Sequence, residues 1–138
     1  MVELDTACFA PAFRFGTTSM KQFAEAENAW TQIAEAGDSL AGFCIVHREQ
    51  ILGASVGYLV TIDVADAYRR QGVGERMLAA GESWLLNSGA TLMLLHVYVK
   101  NAAAIRFYEQ AGYEFQEEKP GFYGPGMNAS VFWKRLKR

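Results

Sequence analysis

The residues 91–99 form a nearly unbroken apolar run, and this run restricts the possible folds of the chain more than any other feature. A strand of this composition is typical of a sheet that is covered on both faces. Two amphipathic segments flank it: one lies between Val73 and Gly89, and the other spans 101–111 and ends before Gly112. Both have apolar residues at helical spacing. This strand–helix alternation predicts an α/β fold with a right-handed parallel crossover.

The rest of the chain predicts further strands on either side of this unit. The expected order is a helix, three strands, a helix, a strand, a helix and two strands, which implies a mixed sheet with helices on both faces. Residues 1–17 show no period and are interpreted as a packed, irregular segment. The additional elements are predicted at 19–29 for the first helix and at 31–36, 40–48, 52–64, 113–118 and 129–134 for the strands.

Composition limits the class of protein. A chain of 138 residues, 51% hydrophobic and 20% charged, predicts one globular domain over 1–138. The net charge of −2 argues against a nucleic-acid partner. The two cysteines, Cys8 and Cys44, are too few for a disulfide framework and favour a reducing, cytoplasmic compartment. We expect no leader peptide, no membrane partner and no metal site, because the sequence lacks the corresponding patterns.

A short loop after the strand that ends near Val64 carries two glycines. This glycine loop reads Arg69-Arg70-Gln71-Gly72-Val73-Gly74 and leads directly into a helix. Glycines let the backbone approach a ligand closely, and the free N–H groups of a helix start attract anions. Neither the Lys-Ser/Thr of a nucleoside-triphosphate loop nor the third glycine of a dinucleotide fingerprint is present. The loop predicts a phosphate or pyrophosphate site, although the same glycines would also suit a plain strand-to-helix turn.

A second motif covers the helix at 101–111 and the residues just after it. Asn101 is a residue type that caps helix N-termini, and Tyr108 follows two turns later. Helical periodicity alone favours an aromatic ring packed on the buried face at Tyr108. Both residues therefore have a structural interpretation that needs no ligand.

Together, the two motifs resemble those of the GNAT acetyltransferase superfamily. The glycine loop matches its Arg/Gln-x-x-Gly-x-Gly signature, and 101–113 matches its Asn-x-x-Ala-x-x-Phe-Tyr motif followed by glycine and an aromatic. The resemblance covers residues 20–134 and points to the RimI-like ribosomal-protein alanine N-acetyltransferases. It implies a mixed, mostly antiparallel sheet with splayed central parallel strands and helices on both faces.

The resemblance also implies a co-substrate, acetyl-CoA, in the gap between the strand that ends at Val64 and the strand through His96. A backbone N–H of the first strand would polarise the thioester carbonyl, as an oxyanion hole does. The residues implied at acetyl-CoA are Ile62, Asp63, Val64, Arg69, Arg70, Gln71, Gly72, Val73, Gly74, Glu75 and Asn101.

The resemblance places Tyr108 near the sulfur of acetyl-CoA, where its hydroxyl would stabilise the leaving thiolate. A tyrosine titrates near ~10 and a thiol near ~8.5, so full proton transfer is uphill. His96 occupies the position at which RimI-like proteins have a glutamate; it is a candidate base or, equally, a histidine bonded within the sheet. Asp63 is a second candidate, for the base or for the acceptor amine, unless it pairs with Arg69 or Arg70.

The acceptor side carries fewer signals. Tyr123, in the Gly/Pro-rich loop 120–128, falls where RimI-like proteins have an aromatic that lines the peptide side. Only 18 residues precede Ser19, so we expect the first strand of the family to be reduced or missing. Either residues 1–17 or a second copy of the chain, in a homodimer, would then complete the acceptor wall.

The expected function is acetyl transfer from acetyl-CoA to a primary amine, by direct attack in a ternary complex. The acceptor is a small molecule or a protein N-terminal amine. The alternative is an acyl-CoA-binding or interaction module without catalysis, because a fold does not fix a function. A nucleotide-binding domain unrelated to CoA is a third hypothesis, which the missing Lys-Ser/Thr disfavours.

Overall fold

The computed structural model describes residues 13–17 and 29–137, which build a seven-stranded sheet and two α-helices. A 3-10 turn at Asp66–Tyr68 leads into the glycine loop. The strands are β1 (Phe13–Thr17), β2 (Ala29–Ala36), β3 (Ser39–Ile51), β4 (Ala54–Val64), β5 (Leu92–Tyr98), β6 (Glu114–Lys119) and β7 (Ala129–Arg135), and the helices are α1 (Val73–Asn87) and α2 (Ala102–Gln110).

The strands lie in the order β1-β2-β3-β4-β5-β7-β6. All neighbouring pairs are antiparallel except β4 and β5, which are parallel and are joined by α1. A parallel pair needs a crossover of this kind, whereas β2, β3 and β4 follow one another through tight turns. The structure therefore confirms the mixed, mostly antiparallel sheet and the central strand–helix–strand unit.

Both described helices contribute to one hydrophobic core on one face of the sheet. Met77 and Leu85 of α1 and Tyr108 of α2 are buried there, against Met93 and Leu95 of β5. Small residues bring the helices close, because a Cβ built on Gly74 of α1 would lie 3.3 Å from the Phe107 ring of α2.

The other face of β5 differs from the prediction. Met93, Leu95 and Val97 are buried, but the alternate residues, among them His96 and Tyr98, are only half-buried. Among the described residues, the apolar run is therefore fully buried on one face and half-buried on the other, where the sequence predicted full burial on both. The helix predicted at 19–29 lies outside the described residues up to position 28, and Ala29 begins β2 instead.

The start of the chain also differs from the prediction. Residues 13–17 form strand β1, which pairs antiparallel with β2 from Phe13 opposite Ala36 to Thr17 opposite Gln32. The irregular segment predicted over 1–17 is therefore wrong at 13–17, and residues 1–12 lie outside the described part. The described part of this strand has five residues.

Of the two cysteines, Cys44 lies in the described part of the chain. Cys44, in the middle of β3, is fully buried, and burial raises the pKa of its thiol to about 12. It is thus a small core residue, as expected. Neither helix in the described ranges is long and apolar enough to cross a membrane. The same residues contain no cluster of His, Cys, Asp or Glu that could hold a metal ion.

Candidate active site

The parallel strands β4 and β5 separate soon after they meet. In the described structure they pair at Gly57 opposite Met93 and at Tyr58 opposite Leu94, and at no later position. Beyond this point, the backbone edges of 59–64 and 95–98 no longer bond to each other. A gap therefore opens between the two strands towards their carboxyl ends. This agrees with the splayed central parallel strands that the family resemblance implied.

An irregularity in β4 lies where the gap begins. On its other side β4 pairs with β3, with Leu59 opposite Val46 and Thr61 opposite Ile45, so that Val60 is an extra residue without a partner. A β-bulge of this kind bends a strand and redirects the side chains after it. Ile62 and Val64 then pack towards the helices, whereas Asp63 is exposed.

The glycine loop lies at the far end of this gap. Arg70 has φ 65° and Gly72 has φ 80°, so two alternate residues adopt the left-handed conformation. Gly72 is the N-cap of α1 and makes no side-chain cap bond. Because glycine has no side chain, the N-cap position makes no side-chain bond to the first N–H groups of the helix, at Val73, Gly74 and Glu75. Uncapped N–H groups at the positive end of a helix form an anion site.

Two side chains of the glycine loop bond to the chain that precedes it. Arg69 donates from Nε to the Val64 carbonyl over 3.1 Å and pairs with Asp66, Nη1 to Oδ1, over 3.1 Å. Gln71 donates to the Ala67 carbonyl over 3.2 Å. These bonds fix the loop to the end of β4. Both arginines are exposed, and Arg70 takes part in neither of the two Arg69 bonds.

Asp63 does not form the ion pair with Arg69 that was one of its two sequence interpretations. Its Oδ2 accepts a hydrogen bond from Thr61 Oγ1 over 2.8 Å, while Arg69 pairs with Asp66. Pairing of Asp63 with Arg69 is therefore wrong. Asp63 lies with Phe43 and Val64 along a mostly apolar pocket of about 210 Å³ at the end of β4.

Asn101 and Tyr108 both lie on α2. Asn101 Oδ1 accepts from the Ala104 N–H over 3.1 Å, so Asn101 caps the helix as the sequence predicts. Tyr108 is 8% exposed and packs edge-on against Phe107 and Tyr113. Burial raises the pKa of Tyr108, with smaller contributions from Cys44 and other groups. This hydroxyl is thus a hydrogen-bond donor and a weak acid.

His96 lies on the half-buried face of β5 and bonds to a residue that the sequence analysis missed. Its Nδ1 is 2.7 Å from the hydroxyl oxygen of Tyr58 on β4. Burial lowers the pKa of His96, the positive charge of Lys119 lowers it further, and Glu117 acts in the opposite direction. A histidine with a lowered pKa is neutral at pH 7 and can accept a proton.

The register of the parallel strands explains the contact between Tyr58 and His96. Tyr58 is opposite Leu94, and alternate residues of a strand share a face, so His96 lies on the face that Tyr58 occupies. The signal in the sequence was a polar aromatic inside an apolar strand. It could be used only once the register of β4 and β5 was known.

A second missed residue covers His96. The Phe122 ring stacks on the imidazole with 4.1 Å between centroids and 4° between planes. Tyr123, which the sequence analysis predicted to line the acceptor side, contacts Tyr98 edge-on at 6.2 Å and Phe122 at 4.8 Å. Tyr58, His96 and Phe122 form the aromatic cluster, and Tyr123 lies beside it.

Comparison with known sequences gives these features a context. The profile of the Acetyltransferase (GNAT) family matches residues 1–113. Mycothiol acetyltransferase of Corynebacterium efficiens is 30% identical over 81 residues, which are 59% of this chain and 26% of that protein. N-alpha-acetyltransferase 30 of Schizosaccharomyces pombe is 29% identical over 98 residues, 70% of this chain and 65% of that protein. The chain thus spans about a quarter to two thirds of the length of these relatives.

Comparison with solved structures supports the fold. A putative streptothricin acetyltransferase of Bacillus anthracis, solved in complex with acetyl coenzyme A, has a TM-score of 0.74 at 22% identity and covers 84% of this chain and 67% of its own. The ribosomal-protein-S18-alanine N-acetyltransferase of Escherichia coli has a TM-score of 0.73 at 20% identity and covers 91% and 95%. With the family profile matching most of its length, the chain belongs to the Acetyltransferase (GNAT) family.

Proposed function

We propose that the chain transfers an acetyl group from acetyl-CoA to a primary amine, and that this amine is the amino terminus of a protein. One observation carries the proposal: β4 and β5 separate beyond Tyr58, and the gap between them runs from the aromatic cluster to the glycine loop. A co-substrate in this gap would have its phosphates at one end and a candidate base at the other.

The backbone of the gap fits the arm and phosphates of acetyl-CoA. The edge of 62–64 does not pair with β5 and offers N–H and C=O groups to the amides of the pantetheine arm, apart from the Val64 carbonyl, which accepts from Arg69. One N–H of this edge would polarise the thioester carbonyl. The pyrophosphate would bind the uncapped N–H groups at Val73 to Glu75, with Arg70 beside them. Asn101 would contact the arm from the start of α2.

The side chains supply one proton acceptor and one hydrogen-bond donor, and the released thiolate takes its proton from water. The amine nitrogen attacks the thioester carbonyl carbon, the C–S bond breaks, and the new C–N bond completes the amide. His96 accepts the proton that the attacking nitrogen loses, directly or through water. Tyr108 donates a hydrogen bond to the departing thiolate. Its raised pKa favours stabilisation of that charge over full proton transfer.

Two observations favour a protein amino terminus as the acceptor. Several relatives carry the name N-alpha-acetyltransferase, among them the protein of Schizosaccharomyces pombe and one of Saccharolobus solfataricus that is 32% identical over 81 residues. The aromatic cluster and Tyr123 also offer apolar surface for the first side chains of a peptide. The specific proposal is therefore an N-terminal acetyltransferase of the kind that the RimI-like enzymes represent.

The first test is thermal unfolding with acetyl-CoA and, as a control, with ATP. A ligand at 100 times its Kd stabilises a protein by about 2.7 kcal/mol, which raises the Tm of a domain of this size by roughly 10 °C. We expect this rise with acetyl-CoA alone. A larger rise with ATP would indicate a nucleotide site and overturn the proposal.

The second test identifies the acceptor. Free thiol is measured as CoA is released from acetyl-CoA, with peptides that differ in their first two residues and with matched peptides whose amino terminus is already blocked. We expect release with free amino termini and none with blocked ones. Transfer to polyamines or aminoglycosides alone would support the acetyltransferase activity but contradict the proposal that the acceptor is a protein amino terminus. Binding of acetyl-CoA with no transfer to any amine would favour the non-catalytic module.

A further inference from the structure

His96 is held on two sides by residues from different parts of the chain. Tyr58 bonds to its Nδ1 over 2.7 Å, and the Phe122 ring lies parallel to it at 4.1 Å. The hydrogen bond fixes the direction of one ring edge but permits rotation of the ring about that bond. The parallel contact removes that rotation, because two flat rings at this distance cannot tilt without losing contact.

The loop that carries Phe122 is braced from within and from its neighbours. Asn128 Oδ1 accepts from the Gly121 N–H over 2.9 Å, and Asn128 Nδ2 donates to Glu118 Oε2 of β6 over 2.7 Å. The Asn128 carbonyl also accepts from the N–H of Val99, just after β5, over 3.1 Å. One asparagine thus joins the two ends of the loop to each other, to β6 and to the end of β5, so Phe122 is presented at a defined place.

We propose that Phe122 is a positioning residue, which fixes the plane of the His96 imidazole and keeps water from one of its faces. This inference rests on the proposed function, in which His96 accepts the proton of the acceptor amine. Tyr123, the next residue on the loop, does not have this role, because its ring meets Tyr98 and Phe122 instead.

Among the influences on the pKa of His96, burial by neighbouring atoms is the largest. On β6, Lys119 and Glu117 act on its pKa in opposite directions, so their influences partly cancel. Tyr58 of β4 presents a hydroxyl that is neutral at pH 7, and burial raises its pKa further. On β7, the residue opposite His96 is Val131, which carries no charge. Burial is accordingly the largest cause that lowers the pKa of His96.

The test compares two exposed phenylalanines of the same hairpin. Phe122 is 46% exposed and contacts His96, whereas Phe115 is 55% exposed and packs on Phe132. The chain has two histidines, so NMR can follow both titrations, with His47→Gln to identify the signals. We expect Phe122→Ala to raise the pKa of His96 towards its usual value and Phe115→Ala to leave it unchanged. Phe122→Leu retains apolar cover and should keep the pKa low.

Activity provides the second readout. In Phe122→Ala, the acid limb of kcat/KM should move to higher pH together with the NMR titration, and kcat on the plateau should fall about two- to tenfold, the equivalent of one aromatic pair. An unchanged pKa in Phe122→Ala would overturn the inference. If the pKa of His96 rises but the pH profile of kcat/KM does not change, Phe122 shields His96 from water as proposed. That result would contradict the role of His96 as the base, and with it any effect of Phe122 on the reaction. The NMR arm needs no turnover, so it distinguishes the two failures.

Discussion

The glycine loop and the aromatic cluster lie at opposite ends of one gap but are built differently. The glycine loop offers backbone N–H groups from consecutive residues, whose arrangement follows from left-handed φ angles at Arg70 and Gly72. The aromatic cluster takes side chains from positions 58, 96 and 122, which meet through the sheet and one loop. A site made of consecutive backbone groups leaves a motif in the sequence. A site made by strand register leaves no motif.

Because the two ends are built differently, substitutions at each end should affect different properties of the enzyme. In our proposal, the glycine loop binds acetyl-CoA and the aromatic cluster handles the proton of the acceptor. Changes at the loop should therefore alter the affinity for acetyl-CoA, and changes at the cluster should alter turnover or its pH dependence. A change at one end that produces the effect assigned to the other end would break this division.

The largest effect should come from His96→Gln. Loss of a general base typically costs between 10²- and 10⁴-fold, so we expect kcat to fall roughly 10³-fold. The Kd of acetyl-CoA, measured by calorimetry, should not change. His47→Gln is the comparison for the other histidine of the chain, which lies on β3 opposite Tyr58, one strand further from the gap. Equal losses in the two variants would remove His96 from the mechanism.

Tyr108→Phe should have the next largest effect. Removal of one donor to a developing charge costs roughly 10²-fold in kcat, and the affinity for acetyl-CoA should stay within a fewfold. Tyr113→Phe is the control: its ring packs against Tyr108, but its hydroxyl donates to Glu82 of α1 over 2.8 Å. That variant should lower Tm without lowering kcat. Unaltered turnover in Tyr108→Phe would exclude the hydroxyl from the reaction.

At the glycine loop, Gly72→Ala should weaken the binding of acetyl-CoA. Gly72 has φ 80°, and a left-handed residue with a side chain costs roughly 1–2 kcal/mol, so Kd should rise about five- to thirtyfold. The kcat at saturating acetyl-CoA should persist. Gly89→Ala is strained in the same way, with φ 93° after the other end of α1. It should lower Tm but leave Kd unchanged, and a similar rise in Kd for both variants would contradict a phosphate role for the loop.

The contrast between sites made of consecutive residues and sites made by strand register also explains how much could be predicted from the sequence. Local signals, such as the apolar run 91–99 and the cap at Asn101, predicted the core elements and the two motifs. Strand β1 was missed because, in the described sheet, it is an edge strand that pairs only with β2, and such a strand needs no regular pattern of apolar residues. Tyr58 and Phe122 were missed because their role depends on which residues lie opposite them. That information comes from pairing in the sheet and from the conformation of one loop.

Tyr58→Phe should reduce turnover less than the changes above. It removes one hydrogen bond, of 2.7 Å, and a typical bond of this kind contributes about 0.5–1.5 kcal/mol. We therefore expect kcat/KM to fall about two- to tenfold, with the Kd of acetyl-CoA unchanged. A loss as large as that of His96→Gln would mean that the tyrosine itself transfers the proton.

The smallest effects should come from the charges near His96, and their signs sharpen the assignment of the base. Lys119 lowers the pKa of His96, so Lys119→Gln should raise it, and activity should be lost at a higher pH as the solution is acidified. Glu117 has the opposite influence, so Glu117→Gln should move the acid limb of kcat/KM to lower pH. Both residues lie on the exposed strand β6, and added salt should therefore shrink both shifts. Shifts of the same sign in the two variants would show that the acid limb reports a group other than His96.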